Sequence, residues 1–284
     1  MTGERRAAVL GTPIRHSLSP VLHRAAYAAL GLPEWSYEAI EVTEDGLPAF
    51  VDELGAEWAG LSLTMPLKRV ALEVADSVSA LAEATGAANT LVLGPQGRRA
   101  DNTDVRGIVQ ALREVGVREI EHAVVLGAGG TAQAALAALA ELGSSDPVVL
   151  VRDPRRAGGL LAAAERLDVR PAVRGLLTGA DTDTEAAARL LGGADVVVST
   201  LPAGAGDALA GARWRPGAAV LDVVYAPWPT ALAAGAAVGG CRIASGLDVL
   251  LHQAVAQVEL MTGLPGPVEA MRTALHAATD TAAR

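Results

Sequence analysis

Residues 123–135 read AVVLGAGGTAQAA, and this stretch restricts the possible folds more than any other in the chain. A short β-rich run meets a glycine turn and passes at once into an alanine-rich helical pattern. Gly127, Gly129 and Ala132 fall in GxGxxA spacing. In a strand-turn-helix unit the first glycine permits the tight turn, the second lets a pyrophosphate approach the backbone, and the small third residue lets helix and strand pack closely. Exposed amide groups and the dipole at the helix start attract phosphate. Similar strand-like runs recur: AAVLG (7–11) precedes the turn, and PVVLV (147–151), ADVVVST (194–200) and AAVLDVV (218–224) follow it, separated by Ala/Leu-rich helical stretches. That alternation is the pattern of parallel βαβ units, and apolar runs without period-2 alternation fit sheets covered on both faces.

At 284 residues the chain has room for two domains of ordinary size. NTLVLGPQGRRADNTD (89–104) reads as two strands joined by a turn at GPQG, so the first hundred residues mix a hairpin with parallel elements. From 106 to 245 the units are regular, with 203–212 as a loop or short turn, and from Gly246 onward the pattern is helical. These changes predict an α/β protein of two domains. Residues 1–105, completed by the helices of 246–284, make the first, and an inserted Rossmann-like dinucleotide-binding domain over 106–245 makes the second.

Composition removes several function classes. A net charge of -9 with no concentrated basic face argues against a nucleic-acid footprint. No run of 18 apolar residues is present to span a membrane, and the apolar run near the start, MTGERRAAVLG, is broken by Arg15 before it reaches the length of a signal-peptide core. Cys241 is the only cysteine, which excludes an intrachain disulfide, and no Cys/His cluster has zinc spacing. The expectation is a soluble, cytoplasmic, metal-free protein that acts on a small molecule as a monomer or homodimer.

Of the 23 basic residues, Lys68 in GLSLTMPLKR is the only lysine, leaving 22 arginines. A chain that uses arginine wherever a positive charge suffices has kept lysine at one place. Arginine does not release its proton in a protein and lysine does when its environment favours the amine, so proton transfer distinguishes them. Following Pro66, Lys68 is expected in the first turn of a helix, where the helix dipole disfavours a cation. The two asparagines, Asn89 in GAANTL and Asn102 in ADNTDV, are each followed by threonine. Asp104 lies just beyond the hairpin, at the cap of a helix beginning near Val105. In IRHSLSPVLHRAAY, Ser19 before Pro20 reads as a helix cap. Ser17 is not explained by capping, and two hydroxyls beside a helix N-terminus suit a small carboxylate. After the strand that follows the glycine turn, LVRDPRR places Arg152, with Arg155 or Arg156, where a dinucleotide's 2′-phosphate is addressed. Asp153 pulls the other way, towards a free ribose hydroxyl and NAD. Cations outnumber the acid, which favours NADP and leaves NAD open.

Taken in order, SLSP, LTMPLK, GAANT, NTD, GAGG, STLP, DVVYAPWPT and GLDVLLHQA resemble the motifs of the shikimate dehydrogenase family over nearly the whole chain. The resemblance implies an α/β substrate domain, a Rossmann-like NADP domain, and the reversible NADPH-dependent reduction of 3-dehydroshikimate to shikimate in the pathway to chorismate and the aromatic amino acids. Carried over by residue, it implies a catalytic pair of Lys68 and Asp104. Ser17 and Ser19 would take the substrate carboxylate, with Thr64, Asn89, Tyr225 and Gln253 as further substrate contacts. Gly127, Ala128, Gly129 and Gly130 would receive the pyrophosphate, with Arg152, Asp153, Arg155, Thr200 and Gly246 completing the cofactor site. The chain departs from the family pattern at Ser62, where asparagine is common, at 151–153, where VRD replaces Asn-Arg-Thr, and at Asp248 and Val249, where glycine and methionine are common. Gln257 lies one helical turn after Gln253 and outside the motif. A quinate dehydrogenase using NAD, or a non-catalytic nucleotide-binding sensor on the same fold, would share most of these features.

Overall fold

Of the 284 residues, the computed structural model describes 3–177 and 180–282. They divide into two compact units: one runs to Gly107 and resumes at Leu250, and the other is Ile108–Val249.

The first unit contains β1 (Arg5–Gly11), α1 (Ser19–Ala29), β2 (Trp35–Glu41), α2 (Leu47–Asp52), β3 (Trp58–Leu63), α3 (Val70–Glu73), β4 (Ser77–Val78), α4 (Ala80–Thr85), β5 (Thr90–Gly94), β6 (Gly97–Asp101) and the start of α5 (Asp104–Glu114). Its strands order as β2-β1-β3-β5-β6-β4. The mixed character expected from sequence is present. β1 runs parallel to β2 and β3, whereas β5 is antiparallel to both β3 and β6, and Gly94 pairs with Gly97 to close the hairpin around Pro95 and Gln96.

The second unit contains β7 (Ala123–Leu126), α6 (Gly130–Glu141), β8 (Val148–Leu150), α7 (Gly158–Arg166), β9 (Ala172–Arg174), α8 (Asp181–Gly193), β10 (Val196–Ser199), β11 (Ala219–Asp222), α9 (Ala231–Val238) and β12 (Arg242–Ser245). The chain then enters α10 (Gly246–Thr262), which carries it back to the first unit, and α11 (Val268–Ala282). All strands of the second sheet are parallel, in the order β12-β11-β10-β7-β8-β9. Strand order reverses between β7 and β10, and in doubly wound sheets the crevice outside the carboxyl ends at such a reversal is where ligands bind.

Both faces of β1 are buried, which explains its unbroken apolar run. Ala8 and Leu10 join Leu61, Leu63 and Leu91 in one core cluster, while Ala7 and Val9 join Tyr27, Tyr37 and Met261 on the other face. In the second unit Val124, Leu126, Leu150, Val197 and Val220 are packed under Leu191, Leu209 and Leu232.

Register decides which residues of the first unit share an edge. Leu10 lies opposite Leu63, Ser62 opposite Thr90, and Thr90 opposite Asp101. The carboxyl ends of β1, β3 and β6 and the amino end of β5 therefore meet at one side of the sheet. The loops that leave there carry Ser17, Thr64, Lys68, Asn89 and Asn102, and Ser19 and Asp104 open the helices that follow.

Truncation of this core tests the packing. Leu10→Ala, at a fully buried site, is expected to lower unfolding free energy by about 2–5 kcal/mol. Leu161→Ala, at a side chain 45% exposed, should stay within about 0.5 kcal/mol. Denaturant titration of both variants checks the contrast.

Candidate active site

Lys68 Nζ donates to Asp104 Oδ2, and the pair is largely sheltered, with 27% and 14% of the two side chains exposed. The other carboxylate oxygen, Oδ1, accepts from Asn89 Nδ2 at 2.8 Å. Asp104 thus receives an ammonium on one oxygen and an amide on the other.

Local structure explains why that carboxylate is available. Asp104 opens α5, and its backbone N–H donates to Asn102 Oδ1 at 3.1 Å. The Asp104 carboxylate does not act as the helix cap that its position suggests, because both of its oxygens are engaged by Lys68 and Asn89. Asn102 is itself held by donating from Nδ2 to Thr85 Oγ1 at 2.9 Å and to the Ala87 carbonyl at 3.0 Å.

Asn89 precedes β5 and is 2% exposed. Its Oδ1 accepts from Thr103 N at 2.8 Å and from Thr90 Oγ1 at 2.8 Å. Its Nδ2 lies 2.9 Å from Thr103 Oγ1 and 3.3 Å from Gln253 Oε1. Both asparagines of the repeated Asn-Thr pattern are therefore structural partners of the acid, and Asn89 is a candidate for substrate contact as well. Gln253 on α10 is steadied by donation from Nε2 to the Leu250 carbonyl at 2.9 Å.

Two sequence expectations are corrected here. Lys68 does not lie in a helix: it occupies the turn after β3, and α3 begins only at Val70 and has four residues. The helix dipole therefore does not act on it in the expected way, and Asp104 sets its environment. Ser19 does not cap α1. Leu18 holds the cap position with φ -86° and ψ -4°, and no side chain accepts there in the capping geometry. The chain enters through a turn, not through the extended conformation that a serine cap adopts. Ser17 Oγ instead accepts from Ser19 N at 3.3 Å, so Ser17 does have a local role at the helix start. Thr64, half-buried just past β3, is pinned by its backbone N–H to the Leu10 carbonyl at 3.0 Å.

Sequence reasoning passed over a second layer behind Asn89. Gln257 Nε2 donates to the Asn89 carbonyl at 3.1 Å and to Thr90 Oγ1 at 3.0 Å. Gln257 Oε1 accepts from Ser62 Oγ at 2.7 Å, and Ser62 accepts from the Tyr37 hydroxyl at 2.6 Å. The spacing of Gln253 and Gln257 signals a shared helix face, but nothing in the sequence pairs Gln257 with a serine 195 positions away.

In the second unit the glycine turn links β7 to α6. Gly127 has φ +102°, and a Cβ there would stand 2.6 Å from Thr200 Oγ1. Thr200 is occupied beneath the turn, donating to the Leu126 carbonyl at 2.8 Å. Gly129 and Gly130 are exposed, and a Cβ at either would meet no atom within 4 Å, so the start of α6 is unobstructed. Gly127, Ala128 and Gly129 line a cavity of about 600 Å³ whose wall also includes Arg152, Asp153, Arg156, Leu201 and Pro202. Arg155 is turned to Asp153: the carboxylate accepts from Arg155 N, Nε and Nη2, each at 3.0 Å. These bonds hold the Asp153 carboxyl below the usual range. Gly246 opens α10, and its Cβ would fall 2.0 Å from the Val223 carbonyl, so close backbone packing is enough to require glycine there. Tyr225 follows β11 and is 39% exposed.

Sequence profiles described as "Shikimate dehydrogenase substrate binding domain" and "Shikimate 5'-dehydrogenase C-terminal domain" match residues 9–91 and 246–276. The shikimate dehydrogenase (NADP(+)) of Moorella thermoacetica is 37% identical over 278 residues, covering 95% of this chain and 92% of its own. The crystal structure of Mycobacterium tuberculosis shikimate dehydrogenase superposes with a TM-score of 0.86 at 47% identity, over 96% of this chain and 99% of its own. That of the Thermus thermophilus enzyme, in complex with NADP(H) and shikimate, gives 0.79 at 32% identity, over 96% and 99%.

Asn89→Ala should destabilise the fold by about 1–3 kcal/mol, because Asp104 Oδ1 and the buried Thr103 N–H both lose a partner where solvent has little access. Chemical denaturation measures the loss.

Proposed function

The chain belongs to the shikimate dehydrogenase family, and from that membership we infer that it catalyses the reversible reduction of 3-dehydroshikimate to shikimate with NADPH. The observation that carries the assignment of roles is the Lys68–Asp104 pair, backed by the Asn89 amide, at the edge where the strands of the first unit end. The first unit is the substrate domain in this reading and the second the NADP domain.

Residues of the second unit fit the dinucleotide. An unobstructed glycine turn at a helix start, a cavity of about 600 Å³ and two arginines on its wall match the needs of a pyrophosphate and a 2′-phosphate. Gly127, Ala128, Gly129 and Gly130 take the pyrophosphate, and Arg152 with Arg156 takes the 2′-phosphate. Thr200 and Gly246 support the cofactor site by shaping backbone. Asp153 is neutralised by Arg155, which supports NADP over NAD: the acid that favoured a free ribose hydroxyl is already held in a bidentate pair. The quinate and NAD reading loses its main feature by the same contact.

When bound, NADPH supplies the hydride that the substrate's carbonyl carbon accepts. The protein must then neutralise charge growing on the carbonyl oxygen. Lys68 donates the proton in the direction of reduction and accepts it in the direction of oxidation. Asp104 orients the lysine nitrogen, and the Asn89 amide keeps the carboxylate from rotating away. Ser17 and Ser19 hold the substrate carboxylate, Thr64 and Asn89 its hydroxyls, and Gln253 contacts it from α10. A non-catalytic sensor has no use for a sheltered proton-transfer pair, which weighs against that alternative. We place the enzyme in the cytoplasm, where its single unpaired cysteine needs no oxidising compartment, as a monomer or homodimer.

Initial rates with shikimate and quinate, each paired with NADP and NAD, test the assignment. Shikimate with NADP should give the highest kcat/KM, and dominance of quinate or NAD would refute it. Lys68→Arg keeps the charge and removes the transferable proton, so its turnover should fall by about a hundred- to ten-thousand-fold. Near-parental turnover in that variant would exclude Lys68 as the proton carrier.

A further inference from the structure

We propose that Gln257 is a positioning residue for the Lys68–Asp104 pair, acting through Asn89, with Ser62 and Tyr37 as the anchored end of its hydrogen-bond chain. The inference rests on the reading of Lys68 as the proton carrier.

Hydrogen bookkeeping gives the chain one direction. The Asn89 backbone carbonyl only accepts, so the atom of Gln257 that faces it at 3.1 Å is the donor Nε2 and the carbonyl Oε1 faces Ser62. Ser62 has one proton and gives it to Oε1 at 2.7 Å, so it accepts from Tyr37 at 2.6 Å. Tyr37 keeps its proton, since burial pushes the phenol well above its ordinary range. Its ring is held in place by stacking on His23 at 3.9 Å and 16°. The second Gln257 N–H goes to Thr90 Oγ1 at 3.0 Å, so Thr90 donates onward to Asn89 Oδ1 at 2.8 Å. Asn89 Oδ1 also takes the Thr103 N–H, which leaves Nδ2 aimed at Asp104 Oδ1.

Water does not readily repair a break in this chain. Tyr37, Ser62, Thr90, Asn89 and Gln257 are all 3% exposed or less. Gln257 therefore clamps Asn89 twice, by its main-chain carbonyl and through Thr90 by its side-chain oxygen. Removing it frees Thr90 to rotate and leaves the Asn89 carbonyl with only the Leu63 N–H, at 2.7 Å. The amide that fixes Asp104 loses its support from behind while nothing that touches the substrate is deleted. Positioning errors of about 1 Å at a reacting group cost up to roughly a hundredfold in rate.

Because Lys68 is the only lysine, protein grown with [13Cε]lysine has a single labelled side chain, and its NMR signal reports on the pair without any turnover. In Gln257→Leu, kcat with shikimate and NADP should fall by about ten- to a hundredfold, KM for shikimate should change by a smaller factor, and the Lys68 signal should be displaced from its parental position. Tyr37→Phe keeps the ring against His23 and deletes only the terminal donor, and it should change both readouts in the same direction by a smaller amount. A folded Gln257→Leu protein with parental kcat or a parental Lys68 signal overturns the proposal, whatever its stability. If that variant does not fold, Tyr37→Phe decides by the same two readouts. A parent protein without shikimate turnover would refute the proposed reaction, and the Lys68 signal alone would then decide whether Gln257 positions the pair.

Discussion

The amide of Asn89 has almost no contact with water, yet it stands where two donors and three acceptors must be satisfied at once. Its oxygen takes the Thr103 N–H and the Thr90 hydroxyl, and its nitrogen is shared among Asp104, Thr103 and Gln253. A buried polar group left unpaired costs more than the bond returns when made, so this one side chain ties β5, α5 and α10 into a single arrangement. Aspartate would bring a second negative charge beside Asp104, and leucine would strand its carboxylate oxygen. The carboxylate in turn holds Lys68. In a largely sheltered ion pair the cost of desolvation offsets much of the attraction, and its value lies in where it keeps a nitrogen that can exchange a proton.

A different constraint governs the second unit. There the backbone of a glycine turn shapes one wall of the candidate site. Positive φ and the hydroxyl of Thr200 exclude a side chain at Gly127, and the head of α6 at Gly129 and Gly130 is unobstructed. Charge is then distributed by local pairing: Arg155 closes on Asp153, and Arg152 and Arg156 remain on the cavity wall. Counting two or three arginines against one acid predicts the same sign but not which arginine faces the cavity.

Much of this was legible residue by residue. The glycine turn, the hairpin around Pro95 and Gln96, and the isolated lysine are local signals, and each follows from rules that act over a few residues: φ limits at glycine, period-2 strands, and the different proton chemistry of lysine and arginine. Capping was legible only in part. Ser19 carries the right residue type, but Leu18 already adopts a turn conformation and the cap geometry never forms. Asp104 likewise carries the right type, but its two carboxylate oxygens are taken by Lys68 and Asn89.

Sequence by itself determined the alternating βα pattern with several of its strands and the hairpin, the dinucleotide turn, the candidate acid and lysine, and, through ordered motifs, the family. Those features depend on backbone preference and on residue chemistry, which are carried by each residue and its near neighbours. Only the tertiary structure decided that Lys68 sits in a turn facing Asp104, that Arg155 spends its charge on Asp153, and that Gln257 reaches Ser62 and Asn89. Hydrogen bonds between residues far apart in the chain depend on strand register and on which helix covers which edge. A side chain satisfied by a partner on another element carries no local mark of that partner.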